Sequence, residues 1–399
     1  MMSIQDGYTR REFLLLPGYC RAGLLLTQAV KSQPDRRQSE TLLYVGTYTS
    51  NTKSDGIYVY SFDSGTGNLK LRETVKGVAD PSFLTVDKKR GYLFAVNELV
   101  EYEGKPCGSV SAFAIDQKTG SLSFLNKRSS LGGAPCHITV SDNGRFLLVA
   151  NYLGGNVSVF PIRKGGAIGQ AVDVVEFSGS GPNKERQLGP HAHSVTLDRN
   201  NRFAFAADLG TDKVMIYEFD KDRGTLRTNP AQAFFQAKAG AGPRHFAFHP
   251  NHKLAFVINE LDSTISSLAY DEKVGTLKEI KTLSTLSPQS GNANACADVH
   301  VAADGNTLYG SNRGEDTIAA FTIDKNNGMI ATLENVPTGG RRPRNFAIDP
   351  KGNFLLAANQ DTNNLTVFGI DKATGRLRST GINADVPAPV CLKFVSLGT

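Results

Sequence analysis

Arg244, Glu260, Arg313 and Arg344 are charged residues set into apolar, strand-like phrases, and His137, His193 and His245 recur at matching points of those phrases. Charged side chains are rarely buried near a shared channel without a task. A guanidinium can grip a carboxylate or phosphate with two parallel hydrogen bonds. An imidazole can exchange a proton near neutral pH. Aligned copy by copy, one column reads Phe83, His137, His193, His245, Asp298 and Asn345, and the column before it reads Ser82, Cys136, Ala192, Arg244, Ala297 and Arg344. A third column, just after a recurring Asn or Asp, reads Glu98, Tyr152, Leu209, Glu260, Arg313 and Gln360. The recurring residue itself (Asn97, Asn151, Asp208, Asn259, Asn312, Asn359) reads as a structural turn cap. Three His and Asp298 would be suitable metal donors. Equivalent positions around a ring are expected to lie too far apart to share one ion, so neither a metal nor another cofactor is expected.

The phrase that carries these columns recurs seven times, at roughly 45–55 residues, the period of propeller blades. In the copy from Pro135, an alternating segment turns through Asp142-Asn143-Gly144 into the continuous apolar run Phe146 to Asn151. Val157 to Ile162 then alternates again. Short antiparallel strands joined by tight turns leave this pattern, and the continuous run is the one buried on both faces. A fourth strand is announced by Gly-x-Leu, as at Gly120-Ser121-Leu122 and Gly375-Arg376-Leu377. No segment has sustained helical periodicity. Such units bury their apolar faces only against one another. The expectation is one all-β domain over residues 41–399, a seven-bladed β-propeller with four antiparallel strands per blade. Leu42 to Thr47 resembles a second strand lacking a first, and Val390 to Phe394 a first strand lacking a second. Pairing them in one blade would close the ring and remove two open sheet edges.

Residues 1–40 stand outside the repeat. Thr9-Arg10-Arg11-Glu12-Phe13-Leu14 fits a twin-arginine export signal, with leucines at 14–16 and 24–26 behind it, although Arg21 interrupts the apolar stretch. The segment is expected to be an export leader, which would make the protein periplasmic. The alternative is a disordered extension on a cytoplasmic protein. No later stretch is long and apolar enough to span a membrane. The cysteines after the leader (Cys107, Cys136, Cys296, Cys391) are far apart and lack C-x-x-C spacing, so they read as buried hydrophobes rather than a disulfide or zinc framework. A net charge of +6, scattered and without basic runs, speaks against nucleic acid and leaves a preference for small anions. The sequence does not specify an oligomeric state; a monomer accords with it.

Tyr44-Val45-Gly46-Thr47-Tyr48-Thr49, followed by Gly56-Ile57-Tyr58-Val59-Tyr60, resembles the opening of the lactonase-type seven-bladed propellers. So do Gly189-Pro190-His191-Ala192-His193, Gly242-Pro243-Arg244-His245, Asn259-Glu260-Leu261 and Ser311-Asn312-Arg313-Gly314-Glu315. The likeness covers roughly residues 41–395, and the motifs are specific as a set rather than singly. That family includes the propeller-type 6-phosphogluconolactonase and the fungal carboxy-cis,cis-muconate cyclase. The resemblance implies a metal-independent lactonase acting on a small anionic lactone, with His193, Glu260, Arg244 and Arg313 as its catalytic set. In these roles His193, or a Glu260 raised by a dry site, would take a proton from water, and Arg244 and Arg313 would clamp anionic oxygen. His191, His137, His245 and Arg344 are expected to bind substrate. Two other readings stay open: a lactonase or cyclase for a non-phosphorylated lactone, to which an exported protein would have access, and a non-catalytic envelope scaffold. The scaffold would leave these residues dispersed or paired off; an enzyme would gather them around one small ligand.

Overall fold

The structure, a computed structural model, describes residues 40–87, 89, 91–291 and 293–397. The candidate leader and its Arg10-Arg11 pair lie outside the described residues.

Seven antiparallel sheets follow one another, and among the described residues there is no helix. Their innermost strands are Pro389–Ser396, Leu84–Asp87, Pro135–Val140, Ala192–Leu197, Pro243–Phe248, Ala295–Val301 and Pro343–Ile348, here called blades 1 to 7. Blade 1 is the closure expected from the two chain ends: Pro389–Ser396 pairs with Thr41–Thr47, which continues to Gly56–Phe62 and Leu69–Lys76. Blade 4 departs slightly from four strands. Its outer strand is broken into Thr225–Thr228 and Phe234–Gln236, which pair with different halves of Lys213–Asp220. Pro230 lies in the break, where a residue without an N–H cannot continue the ladder.

The second strand of each blade is the continuous apolar run and is almost wholly buried, as in Phe146–Asn151 and Phe203–Asp208. Its side chains pack between neighbouring sheets. The Phe205 and Phe246 rings, from blades 4 and 5, stack at 5.3 Å. Burial of each such side chain contributes about 1.5–3 kcal/mol. The Gly-x-Leu turns add polar pins between blades. Tyr44 donates to the carbonyl of Gly120 at 2.6 Å and Tyr309 to that of Gly375 at 2.6 Å. Both glycines have positive φ, 78° and 74°, which lets the turn present its carbonyl there. In four blades the recurring Asn ties the second strand to the segment entering its blade: Asn97 donates to Ala79 O, Asn151 to Ser130 O, Asn312 to Thr285 O and Asn359 to Thr338 O. Asn259 instead donates to Thr264 in its own hairpin, and Asp208 accepts from the amides of His191 and Gly210. This column is structural.

Candidate active site

The inner strands share one irregularity, and it builds the site. In blades 3, 4, 5 and 7 the register slips by one residue just after the strand begins, leaving Cys136, His193, Arg244 and Arg344 as the extra residue opposite the second strand. A bulge of this kind re-aims one side chain out of the ladder. The register also corrects the sequence alignment. His193 belongs with Cys136, Arg244 and Arg344, not with His137 and His245, because blade 4 pairs from Ala192, one residue before His193.

The bulge residues meet the column that follows each second strand. Together they line a cleft that encloses about 740 Å³ of non-protein space, part of it open to solvent. Cys136, His193 and Arg344 come from the first set, and Glu98, Tyr152, Glu260 and Arg313 from the second. Besides Ala295, three polar lining residues escaped the sequence reading. Tyr48 is the blade 1 member of the second set, hidden because Thr47 stands where other blades carry Asn or Asp. Arg342 precedes the blade 7 inner strand. Arg186 lies on the loop between blades 3 and 4, outside any repeat. Buried Gln187 holds that loop by donating to Leu209 O at 2.8 Å and to Asp212 Oδ1 at 2.7 Å.

Glu260 organises one wall. Its Oε2 accepts from Arg244 Nε at 2.9 Å and from Arg313 Nη2 at 2.7 Å, and its Oε1 from Arg186 Nη2 at 2.7 Å. Burial would raise its carboxyl, but the three guanidiniums outweigh burial and hold it well below the usual carboxylate range. The expectation of a raised Glu260 is therefore overturned; a carboxylate shared by three cations is a poor proton acceptor. Burial draws Arg313 down to about 9 while Glu260 pulls it back up, so it remains a cation at neutral pH.

Arg244 is not a free clamp either. It is 1% exposed, and besides Glu260 it donates to Ala297 O and, at 3.2 Å, to His245 Nε2. That bond makes Nε2 an acceptor, so Nδ1–H donates to Asp298 Oδ1 at 2.7 Å. Asp298 also accepts from His300 Nε2 at 2.9 Å and from Asn345. His245 is thus neutral, drawn down to about 4 by burial and Arg244 against the pull of Asp298.

His137 and His245 do not line the main cleft; they plug the channel beside it. Their ring centroids are 5.5 Å apart, and the His137 ring lies 4.3 Å from that of Phe83. The His193 ring is likewise 5.5 Å from that of His245, so the histidines converge rather than being held apart by ring spacing. They meet ring against ring, with Asp298 engaged by His245 and His300. Among the described residues no group of three or more His, Cys, Asp or Glu is arranged to hold a metal ion. His191 sits at the cleft edge, stacked on Tyr152 at 4.4 Å with Nδ1 3.0 Å from Tyr152 O.

Of the candidate histidines, His193 alone lines the main cleft. Burial first, then the nearby Arg244, holds it well below the free imidazole value, so it is neutral at physiological pH. Its Nδ1 lies 3.6 Å from Cys136 Sγ. Burial keeps Cys136 a thiol, and the sulfur is 3.3 Å from His193 O. With the thiol proton directed to that carbonyl, the sulfur accepts from Nδ1–H, and Nε2 keeps its lone pair. Among the described residues the four cysteines, Cys107, Cys136, Cys296 and Cys391, are buried and unpaired. The lining residues set four guanidiniums (Arg186, Arg313, Arg342, Arg344) against two carboxylates (Glu98, Glu260), a net of +2.

The chain matches the family model described as "Lactonase, 7-bladed beta-propeller" over residues 42–394. It is 37% identical over 352 residues to a 6-phosphogluconolactonase of Bacillus subtilis, covering 88% of this chain and 97% of the relative. It is 36% identical over 338 residues to a 6-phosphogluconolactonase of Formosa agariphila, covering 84% and 94%. The solved structure of a periplasmic gluconolactonase from Pseudomonas aeruginosa superposes with a TM-score of 0.84 at 32% identity, covering 90% of this chain and all of that one.

Proposed function

This chain belongs to the lactonase family of seven-bladed β-propellers, and we propose that it hydrolyses a small sugar lactone of the gluconolactone type in the cleft around His193. The observation that carries this reading is one neutral imidazole set beside a guanidinium-rich wall in a single cleft. The relatives' names support the substrate class, 6-phospho-D-glucono-1,5-lactone for some and gluconolactone for another. The gathering of His193, Glu260, Arg313 and Arg344 around one cavity favours an enzyme over a scaffold.

In the proposed reaction His193 Nε2 takes a proton from water as the water oxygen attacks the lactone carbonyl. Negative charge then develops on the carbonyl oxygen, where fixed guanidinium donors on the Glu260 wall would stabilise it. Collapse of the intermediate breaks the ring C–O bond, and the leaving ring oxygen takes the proton from the imidazolium. One water is consumed, and the product is a hydroxy acid that ionises at neutral pH. Glu260 serves as the fixed counter-charge that aligns Arg186 and Arg313, and Arg244 positions Glu260 from behind.

The Arg10-Arg11 pattern and the likeness to a periplasmic relative support export through the twin-arginine route. The deciding experiment is turnover of a lactone panel, phosphorylated and not, by the wild type and by His193→Asn. The expected result is a loss of about 10²–10⁴ in kcat for a folded variant. Unchanged turnover in His193→Asn would remove the imidazole from the mechanism.

A further inference from the structure

Arg344 differs from the guanidiniums that converge on Glu260, and from Arg342, whose guanidinium among the described residues also makes no hydrogen bond but is half exposed and 3.7 Å from Asp361. Its side chain is only 16% exposed, yet among the described residues it donates no hydrogen bond to the protein. Its cation lies over the Tyr48 ring, 5.3 Å from the centroid, and its Nη2 is 3.8 Å from Glu98 Oε1, beyond hydrogen-bond reach. Tyr48 O–H in turn donates to Glu98 Oε2 at 2.9 Å, which fixes the ring beneath the guanidinium. The planar fork is held by stacking and by the strand bulge, with its donors left over and facing the cleft. Arg313 is the contrast, with Nε bonded to Ala295 O at 3.2 Å and Nη2 to Glu260 and Cys296 O. A largely desolvated cation with unused donors is costly unless a ligand completes it.

We propose that Arg344, seated on Tyr48, is the subsite for an anionic group on the substrate, a carboxylate or phosphate two or more oxygens wide. This inference rests on the lactonase reading for the identity of the substrate. It goes further in separating the group that recognises the anion from the wall that stabilises the reacting carbonyl. The fork presents paired donors to paired oxygens, and the net positive charge of the cleft favours the same ligand. Glu98 limits how far the pull extends and is available to accept a sugar hydroxyl.

The test is a selectivity ratio. For the wild type and Arg344→Gln, kcat/KM is measured on 6-phospho-D-glucono-1,5-lactone and on D-glucono-1,5-lactone, and folding is checked by thermal melting. The expected result is a wild-type preference for the anionic lactone that falls at least about 10-fold in the variant, mainly through KM. A ratio that survives the substitution, or a wild type that prefers the neutral lactone, overturns the proposal. If the wild type opens neither lactone, the function reading fails but the subsite is still testable. Calorimetric binding of 6-phosphogluconate and glucarate is then compared with that of gluconate. Tighter binding of either acid that carries a second anionic group, lost in Arg344→Gln, supports the subsite and says whether phosphate or carboxylate is read; equal binding of all three overturns it. Should Arg344→Gln fail to fold, Arg344→Lys, which keeps the charge and loses the fork, is expected to give a smaller fall in the same ratio, and an unchanged ratio there counts against the proposal.

Discussion

The two walls of the cleft use the same residue types in opposite ways. On one side Glu260 takes hydrogen bonds from Arg186, Arg244 and Arg313, and Arg244 and Arg313 also bond backbone carbonyls. On the other, Arg344 rests on Tyr48 and approaches Glu98 only at 3.8 Å. The first wall is pinned by these bonds, so its value to a reaction is a rigid positive field that needs no rearrangement as charge develops. The second has donors that only a ligand would complete. Burial alone does not distinguish them, because Arg244, Arg313 and Arg344 are all largely sequestered. Hydrogen-bond partners do.

The largest effect that would break this contrast is at Glu260. Replacing it with Ala leaves three guanidiniums, two of them buried, without their shared counter-charge. A destabilisation of about 3–5 kcal/mol is expected, measured as the drop in urea midpoint. Turnover should fall by on the order of 10³. Glu260→Gln keeps the shape and should still lose much of both, because a neutral amide does not hold the three cations in register. A Glu260→Ala protein of wild-type stability would mean that the wall is not the self-contained ion cluster described here.

Much of this arrangement was legible in the sequence, and the rest was hidden for identifiable reasons. Blade count, closure of Pro389–Ser396 onto Thr41–Thr47, and the structural role of the Asn column follow from period-two patterning and turn residues. The column containing Glu98, Tyr152, Glu260 and Arg313 follows from a fixed offset to that Asn and lines the cleft. The inner-strand columns miss by one residue at His193, because matching histidine to histidine overrides spacing: His193 stands 15 residues before Asp208, just as Cys136 stands before Asn151, Arg244 before Asn259 and Arg344 before Asn359. Arg186 was invisible since repeat logic does not reach an inter-blade loop. The engaged state of Arg244 was equally out of reach: its partners Ala297 O and His245 Nε2 are contacts whose geometry no spacing encodes.

The channel histidines give a smaller, pH-resolved test of the same division. His137, His193 and His245 are all held below the free imidazole value by burial, His245 to about 4. Below pH of about 6.5 the unfolded chain therefore binds protons that the folded chain refuses. Stability should fall as pH drops from about 6.5 towards 4, by up to about 1.4 kcal/mol per pH unit for each histidine. His137→Asn should reduce that slope by one proton. By contrast, the depressed carboxylate of Glu260 keeps its stabilisation until pH falls to about 4.5, the ordinary carboxylate value, and gives it up progressively below that. A slope unchanged by His137→Asn would mean that this ring titrates in the folded protein.

The smallest expected effect concerns Cys136, the bulge residue of blade 3 and neighbour of His193. Its sulfur is 3.6 Å from His193 Nδ1 and 3.3 Å from His193 O, and the expected effect follows from a positioning role for the imidazole tautomer. Cys136→Ala removes the acceptor for Nδ1–H and frees the ring to adopt the tautomer in which Nε2 carries the proton and is useless as a base. A several-fold loss in kcat is expected, with KM little changed, since a hydrogen bond to a neutral thiol is weak and is worth about 1 kcal/mol at most. Cys136→Ser, whose hydroxyl can also accept from Nδ1–H, should recover most of that loss. Equal kcat in the Ala and Ser variants would show that packing, not the tautomer, is what Cys136 supplies.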